Sequence, residues 1–528
     1  MLTPGNIYTW LTLAQLTDLA QAALHYPNAL ISRLEHLLVD TDGAFRAGFK
    51  DAITPCTNYV SGAQTLGRQT SAQWLRVAFH DFVTAHVDEG TGGIDASIGF
   101  ETLRAEDSGS AFNDSFAFFA PFVDAQTSMA DLVALSVVAS LGNCGGLRVP
   151  LRGGRVDAAA DGPLGVPEPE SGLDETLAEF AGAGFDARDT VGLTACGHSL
   201  GRVHHGGFPN VVPASAVTPD NTGGGVDLDS TRASFDVDVV REYLGGYGQR
   251  GGPLVTSENV TVRSDLRLYE SDGNATMEAL GASSEEFFET CRGLFERMIN
   301  TVPKGVVLSE VVEPVSVKPV NFTFDITGGG MLALSGTIRS LSPDGTAPAS
   351  INISLGNAGN ESIASRAATA ASDSGSNLRG TTTFYPTRFE LSVDELSSAD
   401  NLPSKLHVVM PSPRTFALQP EAFFVPSISS VGTSATTIGA AVFNGTASPV
   451  KSVAAVLSVP SPQMGTLAPK VVELEVPLQK YQDVGPYFLF KGSMDGDGTV
   501  NSQASIDIVV TFEDGSVIRD EYDKLSFI

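Results

Sequence analysis

Trp74-Leu-Arg76-Val-Ala-Phe79-His80-Asp81-Phe82 is the stretch that decides how this chain is read. Its apolar spacing predicts a helix over 72–82. On that helix Arg76 and His80 stand four residues apart and share a face. A base beside a permanent cation suits one kind of chemistry, in which the base takes a proton from a weak acid while the cation steadies the departing anion. Taken alone, the stretch is equally an ordinary amphipathic helix with one hydrogen-bonded histidine.

Working outward, Gly92-Gly93-Ile94-Asp95-Ala96-Ser97-Ile98 adds, with Asp81, two carboxylates, a hydroxyl and loop carbonyls. Hard oxygen donors of that kind suit Ca²⁺, although a lone Gly-Gly-x-Asp loop is more often a turn. Leu193-Thr-Ala-Cys-Gly197-His198-Ser199-Leu-Gly-Arg202 ends a helix and carries a second histidine far from the first. Asp229-Ser-Thr231-Arg-Ala-Ser234-Phe-Asp236 follows. Ser199, Asp229, Thr231, Asp236 and a carbonyl near Ser234 offer a second oxygen cage. Arg263-Ser-Asp265-Leu-Arg267-Leu comes last.

With Gly154-Arg155-Val156-Asp157, this ordered set resembles the plant, fungal and bacterial haem peroxidase superfamily, and within it the secreted fungal (class II-like) members, over about residues 30–305. The resemblance implies haem b and two Ca²⁺ ions. It makes His198 the iron ligand through Nε2, with Asp265 accepting the other ring N–H. It makes His80 the distal acid–base, Arg76 its cationic partner, and Phe79 a ring stacked over the haem. Asn113, in Ala111-Phe-Asn-Asp-Ser115, resembles the family's distal asparagine, which accepts the His80 Nδ1–H; Glu106 would stand behind it. Pro167, in Val166-Pro-Glu-Pro169, resembles the proline of the access channel. Asp81, Gly93, Asp95 and Ser97 would hold one calcium, and Ser199, Asp229, Thr231, Ser234 and Asp236 the other. The implied activity reduces H₂O₂ and oxidises donors in one-electron steps through a ferryl intermediate.

Departures from the family pattern narrow the donor. Gln69, Gln73 and His204 stand where manganese-oxidising relatives carry carboxylates. Leu193 stands where lignin-oxidising relatives carry a surface Trp. The two tryptophans are Trp10 and Trp74. Small phenol-like donors are therefore expected. The rival expectation is an extracellular wall-associated or adhesion protein with a vestigial haem domain. The four cysteines fit no CxxC metal site, and the resemblance pairs Cys56 with Cys144, leaving Cys196 and Cys291 as a second bridge or as buried thiols. His204 and His205 read as loop histidines.

The chain has 528 residues, enough for about three domains. Its 61 acidic and 32 basic residues leave a net charge of −29. That balance argues against nucleic acid or an anionic membrane as partner, and no apolar run is long enough to span a bilayer. A monomer is expected. Sequons at Asn113, Asn259, Asn274, Asn321, Asn352, Asn360 and Asn444 favour secretion, although residues 1–28 lack the features of a signal peptide. A glycan on Asn113 is incompatible with a distal role, so that residue is expected to be unmodified.

The expected architecture is multidomain: a mainly α haem-peroxidase fold, then an all-β part of two immunoglobulin-like β-sandwiches. The boundaries are 1–29 for an N-terminal segment, 30–305 for the helical domain, 306–318 for a linker, and 319–415 and 416–528 for the sandwiches, with Pro411 to Pro426 dividing the last two. Tyr8-Thr-Trp10 resembles the start of the mature chain in fungal relatives, which makes 11–26 read as an insertion. Without Cys or Trp, and with His407 as its one histidine, the β part reads as accessory; contact with cell wall or polysaccharide is the alternative.

Overall fold

The computed structural model describes residues 25–524 except 44, 60–67, 378, 411, 433, 497–499 and 501–502. Tyr8, Trp10 and nearly all of 11–26 lie outside the described residues.

Twelve α-helices come first among the described residues: α1 (Ala29–Val39), α2 (Thr70–Val83), α3 (Ile98–Glu101), α4 (Ala111–Phe119), α5 (Met129–Gly145), α6 (Leu173–Gly182), α7 (Ala187–Gly197), α8 (Asp238–Gly245), α9 (Pro253–Thr256), α10 (Ser264–Tyr269), α11 (Ala275–Gly281) and α12 (Ser284–Asn300). A short hairpin, β1 (Arg202–His204) with β2 (Gly225–Asp227), interrupts them. Helix α5 is apolar on nearly every side and runs through the core, as an all-round hydrophobic helix must. Ser128 accepts the Asp131 N–H at its start, and Gly146, in the left-handed region at φ 75°, ends it. The Gly154–Asp157 motif has a structural use here. The Asp157 carboxylate accepts the Met129 and Ala130 N–H groups at 3.0 and 2.8 Å, and Arg155 pairs with Asp131 at 3.0 Å. Helix α2 packs on α4 and α5, while α7 packs on α11 and α12. The two histidine motifs therefore sit on separate layers.

The β part is two sandwiches. The first has sheets β3 (Val317–Thr327), β4 (Met331–Ser342), β8 (Gly380–Ser392), β7 (Gly375–Asn377) and β10 (Ser412–Ala417), β9 (Lys405–Met410), β5 (Ser350–Gly356), β6 (Ser362–Thr369), each in that spatial order. Lettered along the chain these orders are ABED and GFCC′, the immunoglobulin arrangement. The second comprises β11 (Ala422–Phe424), β12 (Ser430–Val431), β13 (Ala435–Phe443), β14 (Val450–Ser461), β15 (Lys470–Val484), β16 (Tyr487–Asp495), β17 (Ser505–Phe512) and β18 (Val517–Lys524). Its two faces are not separate sheets. The first half of β15 pairs with β14 and the second half with β16, so one strand crosses from one face to the other.

Two boundaries differ from expectation. The divide falls inside the Pro411–Pro426 run but at 418–421 rather than after 415, because β10 (Ser412–Ala417) pairs with β9. Residues 306–318 are no free tether either: Val312 N–H donates to Leu151 O at 2.7 Å and Gly153 N–H to Ser309 Oγ at 3.0 Å. Beyond them, buried Glu35 of α1 and Asp40 at its C-cap bind Arg339 at 2.6 and 3.0 Å, and Glu35 binds Lys318 at 2.8 Å. Removing one member of such a network costs about 3–5 kcal/mol, since a buried charge is left unpaired. The network therefore fixes the first sandwich against the helical domain.

Candidate active site

A cavity of about 280 Å³ lies between α2 and α7. Arg76, Phe79 and His80 line it from one side, and Leu193, His198 and Leu200 from the other. Each histidine is held by a carboxylate. His80 Nδ1 lies 2.7 Å from Asp107 Oδ1, and His198 Nδ1 lies 2.6 Å from Asp265 Oδ2. A carboxylate accepts, so the proton sits on Nδ1 in both and each Nε2 carries the lone pair. Arg76 Nε donates to His80 Nε2 at 3.3 Å, and its guanidinium lies over the Phe112 and Phe208 rings at 4.9 and 5.6 Å.

The electrostatics of the two histidines diverge. Burial and the adjacent Arg76 cation hold His80 well below the usual imidazole range, so it is neutral and basic at Nε2. Burial also lowers Arg76 to about 10, which leaves it charged at neutral pH. Burial likewise opposes charge on His198, but the Asp265 carboxylate and its hydrogen bond outweigh that and raise its pKa. Asp107 is raised to about 6 by burial, against the pull of Arg76 and Arg104.

Asn113 is not the partner of His80. It lies on the exposed side of α4, and Asp107, in the loop before that helix, takes the bond instead. A carboxylate oxygen accepts an N–H as an amide oxygen does, and the α4 register turns Asn113 outward while Phe112 faces His80, 4.9 Å between ring centroids. The conflict over its sequon therefore disappears, since the side chain is open to solvent. Glu106 is not behind the distal histidine either. Its Oε2 accepts the Gly165 and Val166 N–H groups at 3.2 and 3.3 Å and so shapes the turn before Pro167, which lines the cavity. Arg267 holds the same rim through the Pro169 and Ser171 carbonyls. Sequence reasoning missed Asp107 because it sought an amide and because this residue lies in the irregular loop between α3 and α4.

The cavity fits a planar iron cofactor. Its walls are largely apolar, and His198 keeps 35% of its side-chain surface accessible while lining it. His198 Nε2 would hold the iron, and Phe79 and Leu200 would flank the ring. The cation candidates divide into two groups. Asp81 accepts the Asp95, Ala96 and Ile98 N–H groups at 3.1, 2.9 and 3.1 Å, and Ser97 Oγ lies 3.5 Å away. Burial, then mutual charge, raises Asp81 well above the carboxylate range, and burial raises Asp95. Gly93 adopts φ +102° with Thr301 O where a Cβ would stand. In the second group Thr231 bridges Asp229 and Asp236 at 3.3 and 3.1 Å. Asp229 Oδ2 is buried without a partner, and burial raises this carboxyl to about 7. Ser199 is fully buried but donates to Cys196 O at 2.9 Å, and Ser234 N–H donates to Thr231 O at 2.6 Å. Uncompensated buried carboxylates fit Ca²⁺ at both places. Among the described residues no three His, Cys, Asp or Glu side chains converge as a metal cluster, so hydroxyls and carbonyls would complete either shell.

Both disulfides form, Cys56–Cys144 and Cys196–Cys291, with Cα separations of 5.6 and 5.7 Å. Leu193 is buried, and Trp74 is fully buried among Phe49, Phe118 and Phe119. Gln69 is spent on the Cys56 carbonyl at 3.1 Å. No helix among the described residues is long and apolar enough to cross a membrane.

Comparison with known proteins agrees with this geometry. Residues 56–283 match the family model described as peroxidase. A WSC domain-containing protein of Arthroderma benhamiae is 38% identical over 317 residues, covering 59% of this chain and 42% of that protein. L-ascorbate peroxidase 5, peroxisomal, of Arabidopsis thaliana is 36% identical over 134 residues, covering 25% of this chain and 47% of that protein. Manganese peroxidase 2 of Phlebia radiata is 27% identical over 275 residues, covering 47% and 65%. The chain thus spans less than half the length of the first two of these relatives. Residues 56–283, within which two histidine–carboxylate pairs face one cavity, thus form a peroxidase-family domain.

Proposed function

We propose that the protein is a secreted haem peroxidase that reduces H₂O₂ and oxidises small aromatic donors: H₂O₂ and two donors AH give two H₂O and two A radicals. One observation carries this reading. Two histidines, each fixed by a buried carboxylate, face one apolar cavity, and Arg76 stands beside only one of them. Bound haem supplies the redox chemistry. His198 Nε2 would hold it, and Asp265 sets the tautomer that makes this possible. His80 Nε2 takes the proton from the attacking peroxide oxygen and returns it to the departing one. Arg76 steadies the negative charge that develops between those two events. Asp107 keeps the His80 proton on Nδ1, so that Nε2 stays available.

The entrance narrows the donor. An outer vestibule of about 300 Å³ shares Ala105, Glu106, Pro167 and Glu168 with the inner cavity, and adds Glu175 and Glu179. Burial and the neighbouring carboxylates raise Glu168 and Glu179. Such a rim favours neutral or cationic donors and repels anionic ones. Gln69 and the buried Leu193 speak against manganese and long-range donors. Steady-state turnover tests this: guaiacol and an aromatic amine are expected to outpace ferulate and ascorbate at low salt. Faster turnover of anionic donors, or turnover that requires Mn²⁺, contradicts it.

A second reading has one observation in its favour. The WSC domain-containing relative matches over more of this chain than the named peroxidases do. It makes the protein a wall-associated one in which the helical domain is retained as scaffold. The four groups Arg76, His80, His198 and Asp265, all positioned, weigh against it.

A further inference from the structure

The second sandwich carries two buried carboxylates far from any histidine. Asp520 and Asp523 both lie on β18, 4% and 3% exposed. Three residues apart on a regular strand they point to opposite faces. Here they share one. Ile506 pairs with Asp523 and Ile508 with Asp520, so Asp507 faces both Glu521 and Tyr522, and Tyr522 takes φ 61°. This bulge turns Asp523 to the side of Asp520. A second bulge, in β3, lies opposite: Val320 pairs with Thr337 and Thr323 with Ser335, leaving Asn321 and Phe322 against Gly336.

The carboxylates face a small cavity of about 20 Å³, which Thr323 and Gln419 also line. That is room for a single ion or water. Gln419 is 93% buried, yet neither its Oε1 nor its Nε2 has a partner; Asp523 Oδ2 and Thr323 Oγ1 are likewise buried and unpartnered. Asp520 Oδ2 accepts the Phe424 N–H at 2.9 Å. Asp520 and Asp523 share a side-chain hydrogen bond, and the charges acting on the pair, Asp507 and Glu521, are acidic. Burial accordingly raises both carboxyls. Two buried charges without a counter-ion must either be neutralised by protons or hold a cation. A shared proton leaves the Gln419 and Thr323 oxygens unsatisfied; a cation engages them all.

We propose that Asp520, Asp523, Gln419 and Thr323 form a Ca²⁺ site at the junction of the two β-sandwiches. All donors are hard oxygens, and two carboxylates balance a divalent charge. The site joins β18 to β3 and to the 418–421 connection between the sandwiches. The outer side of β18 touches the segment before α1, where His25 Nε2 lies 3.1 Å from Glu521 O and the His25 and Tyr522 rings are 5.6 Å apart. Calcium here would thus stiffen the seat of the second sandwich.

The test compares bound calcium per chain in the full-length holoprotein, by metal analysis after dialysis against micromolar Ca²⁺. Asp523→Asn is expected to hold one ion fewer than wild type, whatever the helical domain retains. Gln419→Glu adds a charged ligand, so it should bind this ion about tenfold more tightly and show a larger calcium-dependent rise in melting temperature. It also keeps the proposal testable if Asp523→Asn fails to fold. Equal calcium content in wild type and Asp523→Asn, or a Gln419→Glu chain that is destabilised equally with and without calcium, overturns the proposal in favour of a water and a shared proton.

Discussion

The two sides of the cavity are built from the same pair of residues and diverge through one neighbour. On each side a buried aspartate holds a histidine Nδ1, at 2.7 Å for Asp107 and 2.6 Å for Asp265. Beside His80 stands Arg76, and the imidazole is held well below its usual range. Beside His198 the Asp265 carboxylate prevails over burial, and the imidazole pKa is raised. A histidine–aspartate pair is therefore not a role in itself. A nearby positive charge keeps one histidine neutral, as the proposed base for peroxide must be, while the other, ruled by its aspartate, suits the proposed role of metal ligand.

The largest effect is expected on the distal side. His80→Leu should retain haem yet slow the reaction with peroxide by about 10⁴-fold, the upper range of acid–base help. Stopped-flow absorbance measures this, and a near-normal rate would remove His80 from the mechanism. Next comes its positioning residue. Asp107→Ala should cost about 10²-fold in the same rate, whereas Asp107→Asn, which still accepts the Nδ1–H, should stay within about tenfold of wild type. The pH profile separates positioning from mere stability. Asp107 is raised to about 6, so falling pH neutralises it, and the neutral acid, like an amide, is a weaker acceptor of the Nδ1–H than the carboxylate. The wild-type rate should fall below about pH 6 by no more than about tenfold, toward that of Asp107→Asn, whose own fall should come at lower pH, set by His80 itself. An unmoved profile would show that Asp107 does not govern the base.

The smallest effect on peroxide is expected from the proximal side. Asp265→Asn weakens the acceptor of the His198 N–H, so the iron midpoint potential should rise, while the peroxide rate changes by no more than about tenfold and keeps its acid limb near 6. Spectroelectrochemistry and the same stopped-flow profile read the two quantities. A lost acid limb in Asp265→Asn would mean that the two sides are not independent.

Much of this was legible in the sequence, for physical reasons. Arg76, His80 and His198 stand in helices whose periodicity is plain, and the core strands alternate or are continuously apolar, as in 506–512. That spacing points to β-sandwiches, whereas the strand orders are set by pairings distant in the chain. Asp107 was not legible, because it lies in an irregular loop where no periodicity tells an inward side chain from an outward one. Asn113 misled because the turn of α4 that sets its direction depends on Phe112 packing against His80. The strands β6 and β10 escaped notice because both are largely exposed and show no clean alternation. The sharing of β15 between two faces, and the bulges of β3 and β18, depend on pairing partners distant in the chain.

The most direct test mixes the haem-loaded full chain with one equivalent of H₂O₂ and follows the Soret band by stopped flow. A rapid fall and shift of the band, reversed on adding guaiacol, is the predicted result and establishes a working peroxide site. A haem-bound chain whose band does not respond would contradict the account, and would leave the histidine–aspartate pairs as structure alone.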